Sequence, residues 1–227
     1  MLPNALKSRR QFLELAAATG LTAATAGLWL SSRFSGAQAA ESASVPVADL
    51  MAPGLLSDFP QGKDDAPCTI VEYASMTCPH CAAFHTETFP TLKSEYIDTG
   101  KVRFFMREFP LDPLATVGFM VARYAGDEKR NAVIDLLFST QKTWAFGDKG
   151  INALADVMKQ TGMTQAAFDT CLKDKDLYTS ILKSRDVAQT KFGVASTPCF
   201  FINGTRHAGG FDVAEMRKLV DPLVTKS

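Results

Sequence analysis

The 227-residue chain has no excess charge, with 24 Lys and Arg against 24 Asp and Glu. A nucleic-acid-binding surface normally carries a basic surplus, so nucleic acid is set aside as a partner. Cysteine is scarce. Five cysteines in a chain this long exclude a small scaffold stapled by disulfides, and an odd count leaves at least one thiol unpaired within the chain. There is no internal repeat, and no low-complexity tract beyond an Ala-rich stretch near the N-terminus. Long apolar runs are also missing. The uncharged stretch Leu15 to Leu30 contains Gly20 and Gly27 and falls short of the ~20 residues that a bilayer-spanning helix needs. What is present is an ordinary globular composition, 46% apolar and 21% charged, with room for one domain or one domain carrying a large insertion.

Residues 1–39 read as an export signal. Lys7, Arg9 and Arg10 make a positive start, Leu15 to Leu30 is mildly apolar, and Ala37-Gln38-Ala39 supplies small residues where a signal peptidase cuts. Ser8-Arg9-Arg10-Gln11-Phe12-Leu13 resembles a twin-arginine signal. The expected location of the mature chain is the periplasm, where disulfides persist; an uncleaved segment acting as a membrane anchor is the alternative.

Residues 40–66 are expected to form a linker with one short edge element. Residues 68–75 are apolar and β-branched, which suits a buried strand. Cys78-Pro79-His80-Cys81 follows at once, and a helix is expected from there to about Tyr96. A second strand spans Val102 to Phe109. Asp112-Pro113 then signals a helix start, a capping side chain before a first-turn proline. The pattern stays helical to Phe192, in five segments. Ser196-Thr197-Pro198 leads into a strand at Cys199–Ile202, an Asn203-Gly204 turn, a short strand through His207 and a helix over about 213–224. Asn-Gly between apolar runs is a strong hairpin signal.

A thiol attacks a disulfide only as its thiolate. A cysteine at a helix N-terminus meets unsatisfied N–H groups and the positive end of the helix dipole, and both stabilise the anion. Cys78 lies just after a strand and just before a helix, so it is expected to be the exposed, low-pKa attacking sulfur. Pro79 suits a first helical position, and the His80 ring is expected to donate an N–H toward Cys78 or to add positive charge. Cys81, one turn on, is placed as a buried resolving thiol of higher pKa. Half a zinc site lacks its second Cys-x-x-Cys pair, though His85 makes a Cys-x2-Cys-x3-His arrangement. Covalent haem attachment needs His directly after Cys81, where Ala82 stands.

Cys78-Pro79-His80-Cys81 after an apolar strand, a helical block, and Thr197-Pro198 before a later strand together resemble the DsbA-like thiol:disulfide oxidoreductases. The resemblance covers residues 60–225. It implies an α/β thioredoxin-like fold, residues 67–111 and 193–227, with a helical insertion at 112–192. It also implies no cofactor, a cis-proline at Pro198, a backbone contact for the client protein at Thr197, and a buried acid at Glu72 behind Cys81 that accepts its proton through water. Relatives often carry a second cysteine pair in the insertion. Cys171 matches one member, but Tyr124 stands where its mate is expected, so Cys171 is expected to be a buried free thiol. Cys199 is expected to face the core near the active site, and Cys68 to lie at the far end of the neighbouring strand, out of bridging reach.

Three functions fit. The first is an oxidase that gives its disulfide to unfolded or partly folded exported proteins and is reoxidised by a membrane redox partner; His80 favours it. The second is an isomerase or reductase kept reduced by a membrane donor; Thr197 resembles that group. The third is a module that delivers metal through Cys78, Cys81 and His85.

Overall fold

The computed structural model describes residues 44–225, and the expected export signal lies outside them. Strands β1 (Cys68–Ala74) and β2 (Val102–Glu108) are the two apolar runs, paired in parallel with Cys68 opposite Val102 and Ala74 opposite Glu108. A parallel pair needs a crossover, and residues 79–97 supply it. The hairpin of β3 (Cys199–Ile202) and β4 (Thr205–Ala208) adds on the other side of β1, giving an antiparallel β1–β3 contact and the order β2-β1-β3-β4. Its turn residues Asn203 and Gly204 both have positive φ, 44° and 87°, the requirement of the two-residue hairpin turn.

The crossover departs from the single regular helix expected. It runs as α2 (Pro79–Ala83), a wide π-type turn (Phe84–Thr88), α3 (Phe89–Leu92) and a second wide turn (Lys93–Ile97). Pro90 has no N–H to give the carbonyl one turn earlier, and the first widening lies just ahead of it. Residues 44–66 also differ from expectation. Instead of one edge element they form a strap, with the short α1 (Val47–Leu50) and single bridges at both sheet edges, Ser44 to Thr205 on β4 and Gln61 to Phe104 on β2.

Between β2 and β3 lies the helical block, with α4 (Pro113–Tyr124), α5 (Asp127–Ser139), α6 (Gln141–Trp144), α7 (Gly150–Lys159), α8 (Gln165–Leu172) and α9 (Lys175–Phe192). Asp112, Thr164 and Asp174 cap α4, α8 and α9 through their side chains, each satisfying an otherwise orphaned N–H. Helix α6, only four residues long, was not among the five expected segments; so short a piece shows no period. Capped by Asp212, α10 (Val213–Val224) packs against α3 and β1.

Both faces of the sheet are covered, so β1 is buried at every residue but the half-buried Thr69 rather than alternately. One core joins Ile70, Phe84, Phe104 and Phe200 to the helical block through Phe119 and Trp144. The second joins Val71, Tyr73, Phe105 and Phe201 to Leu50 and Phe192. Cys199 belongs to this second core, opposite Tyr73. It faces a core as expected, but the one on the other side of the sheet from Cys81, because side chains alternate along a strand. The β1–β3 register sets Cys68 and Cys199 at opposite ends of the ladder, and all five cysteines are free thiols.

Candidate active site

Where β1 ends, the chain turns through Ser75-Met76-Thr77, and Cys78 becomes the extended cap residue before α2 with Pro79 at the first helical position. The turn is held from several sides. The Cys78 N–H donates to Ser75 O at 3.1 Å, Thr77 Oγ1 donates to Asp112 Oδ2, and Leu111 N–H donates to Ser75 Oγ at 3.2 Å. Helix α4 approaches closely at Gly118, where a Cβ would lie 3.0 Å from Met76 Cβ. From beneath, the buried Gln141 amide donates to both Met76 O at 2.8 Å and Cys78 O at 3.0 Å. Nothing in the sequence marks Gln141. Gln141→Leu leaves the Met76 carbonyl unpaired, while Cys78 O keeps the Ala82 N–H at 3.1 Å, and a loss of about 1–3 kcal/mol is expected in urea unfolding.

The Cys78 thiol is drawn down to about 5. The Cys81 S–H donates to it, which outweighs the opposing effect of burial, and Thr197 and the backbone N–H groups of Cys81 and His80 add to the effect. Two expectations are corrected here. Cys78 is not exposed: it is only 5% accessible, and its S–H reaches Thr197 O at 3.3 Å, because the Thr197-Pro198 segment, joined by a cis peptide bond, lies against it. His80 stabilises the thiolate through its backbone N–H, while its side chain is exposed. The first turn of a helix aims N–H groups, not side chains, at the cap. The bond to Thr197 O exists only for the protonated thiol. In the thiolate the Thr197 side chain is the group that can donate, and its buried hydroxyl oxygen has no other protein partner among the described residues.

Cys81 is fully buried, and its thiol is pushed well up by that burial, by its bond to Cys78 and by nearby Glu72. Glu72 points inward from β1, fully buried, with Oε2 at 2.8 Å from His85 Nε2. The His85 ring is stacked on Phe138 at 4.3 Å, so it faces Glu72 rather than completing a metal site with the two cysteines. Among the described residues no three His, Cys, Asp or Glu side chains converge as a metal site. The other thiols are unreactive by burial: Cys68 and Cys171 are pushed up to about 12 and Cys199 to about 11.

Sheet order, crossover, dithiol at the crossover's start and cis-proline across from it define a thioredoxin-fold protein with an unequal pair of thiols. The family model described as thioredoxin matches residues 57–222. A Rickettsia conorii protein provisionally named protein-disulfide oxidoreductase is 32% identical, with 73% of this chain and 60% of that protein covered. A Bacillus cereus protein provisionally named disulfide bond formation protein D is 30% identical, with 73% and 78% covered. The crystal structure of Wolbachia pipientis alpha-DsbA1 is similar at a TM-score of 0.72 and 30% identity, covering 78% of this chain and 96% of that one. The chain spans about 60–66% of the length of the Rickettsia relatives it matches. The chain belongs to the DsbA-like family of thioredoxin-fold thiol:disulfide oxidoreductases.

Proposed function

We propose that the protein is an exported oxidase that introduces disulfide bonds into unfolded or partly folded proteins in the periplasm. The observation that carries this reading is the inequality of the two thiols, Cys78 drawn down to about 5 and Cys81 pushed up. The export half rests on the twin-arginine-like start and the small residues at Ala37 and Ala39.

In the oxidised enzyme Cys78 and Cys81 share a disulfide. A client thiolate attacks Cys78 Sγ, the S–S bond breaks, and its electron pair leaves on Cys81, which takes a proton from Glu72. A second client thiolate attacks the client sulfur of the mixed disulfide, and Cys78 departs as a thiolate. Its low proton affinity makes it a good leaving group. Two electrons have then passed from client to dithiol, and a membrane redox partner removes them. Pro198 and Thr197 flank the sulfur and present backbone to the client. Pro79 and His80 set the start of the helix.

The test is the redox equilibrium of the dithiol with glutathione. A potential well above the roughly −270 mV of thioredoxin is expected, together with reoxidation of reduced, unfolded ribonuclease. A potential at or below that value would favour a reductase.

A further inference from the structure

Cys81 is fully buried, yet in each cycle its sulfur must gain a proton and lose one. Glu72, proposed above as its proton partner, is fully buried too. A buried carboxyl that has given up its proton is useless for the next cycle until it is reset from outside.

The only hydrogen bond to the Glu72 carboxylate among the described residues comes from His85, Nε2 to Oε2 at 2.8 Å. The opposite ring nitrogen, Nδ1, lies 3.9 Å from Asp135 Oδ1 on α5; the His85 side chain is 2% exposed and that of Asp135 is 54% exposed. Phe138 on α5, stacked at 4.3 Å, and Phe89, at 5.0 Å, hold the ring between them. The outer atoms of the pair, Glu72 Oε1 and His85 Nδ1, are buried and have no protein hydrogen-bond partner among the described residues. A buried polar atom left unpaired costs about 1–3 kcal/mol. A His–Glu pair kept only for packing gains nothing from two such atoms, one at each end. A pair that passes protons needs both ends open.

We propose that His85 is the positioning residue that connects Glu72 to solvent by way of Asp135. This rests on the reading of Glu72 as the proton partner of Cys81. When Cys81 leaves as a thiolate, the Glu72 carboxyl gives its proton to that sulfur from Oε1. Glu72 then takes the proton on His85 Nε2, and His85 Nδ1 recovers one from the Asp135 side. On reoxidation of the dithiol the same transfers run backwards. No electrons move along this path. The charged groups around it are Glu72 from β1, Asp135 from α5, and Lys93 from the crossover that also carries His85, which acts on Asp135. Helix α10 also packs on this segment, and no ion pair joins it to His85 among the described residues.

The test uses rapid mixing of the oxidised full chain with a reduced dithiol peptide, followed through one turnover. His85→Gln keeps an N–H for Glu72 but cannot relay a proton. It is expected to slow the turnover by about tenfold or more while shifting the equilibrium with glutathione by less than about twofold. His85→Ala is expected to be slow and to recover when imidazole is added to the buffer. A His85→Gln variant as fast as the parent overturns the proposal, and so does a folded His85→Ala variant that imidazole does not rescue. Glu72→Gln separates the two readings. If it is slow while His85→Gln is fast, only the conduit fails; if both are fast, the role given to Glu72 fails as well.

Discussion

Cys78→Ser is expected to abolish reoxidation of a reduced client; Cys81→Ser is expected to abolish it too, but its Cys78 thiolate still attacks disulfides already present in clients, expels a client thiolate and accumulates covalent enzyme–client complexes. The two thiols flank one turn of helix but differ in surroundings. Cys78 collects hydrogen-bond donors, and Cys81 sits in the apolar core beside Glu72. Without Cys78 there is no sulfur for the client to meet. Without Cys81 the enzyme has no disulfide to give, and no second thiol of its own to resolve a mixed disulfide that the Cys78 thiolate forms with a client's disulfide. Ribonuclease reoxidation and non-reducing electrophoresis read the two outcomes, and full activity of Cys78→Ser would sink the mechanism. In the parent protein, alkylation of Cys78 is expected to titrate near pH 5, against an ordinary 9.0. The sign follows from the depressed folded value. Stabilisation of the reduced protein is complete above pH 9.0 and is lost as pH falls through about 5. At neutral pH the part realised is about 3 kcal/mol, which corresponds to roughly 60 mV of oxidising power.

Glu108→Ala is expected to cost about 3–5 kcal/mol, a large share of the ~5–15 kcal/mol by which a domain is stable. Glu108, at the end of β2, is buried, and its Oε1 accepts from Arg123 Nε and from Arg130 Nη2, each at 2.8 Å. Arg130 is itself only 1% exposed, and Phe59 covers both guanidinium groups at 5.3 and 4.5 Å. Removing the carboxylate leaves Arg130 charged, buried and unpaired. Burial works against the Glu108 carboxylate, but Arg130 and then Arg123 hold it below the usual range. Its contribution is therefore present above the ordinary carboxylate value and is lost as pH falls through the lower folded one. Urea midpoints measured at neutral and acid pH check both statements: the variant's deficit should shrink in acid.

This network shows where the sequence stops being readable. Asp112-Pro113, Asn203-Gly204 and the dithiol between strand and helix are local signals, because each acts on residues within a turn of itself. They gave the succession of elements along the chain, with the dithiol between strand and helix and the helical block before the hairpin. The Glu108 cluster joins β2 to α4 and α5, and Gln141 reaches back to Met76 and Cys78. Neither leaves any local pattern. The burial of Cys78 also depends on a distant segment, Thr197-Pro198, folding onto it. His85 was visible only as a metal ligand one turn past Cys81. Its true neighbour, Glu72, is across the strand–helix contact, where spacing along the chain says nothing.

The strap over residues 44–66 bridges both outer strands, and it also supplies Asp64 and Asp58 to Arg103 and Arg107 on β2. An open strand edge is a template for any extended chain nearby, and an enzyme whose proposed clients are unfolded is surrounded by such chains. Capping the four-residue β4 at one end and engaging β2 through paired charges leaves little edge on which a client could nucleate aggregation. For the proposed oxidase, this leaves the dithiol as the place where contact with a client ends in exchange and release.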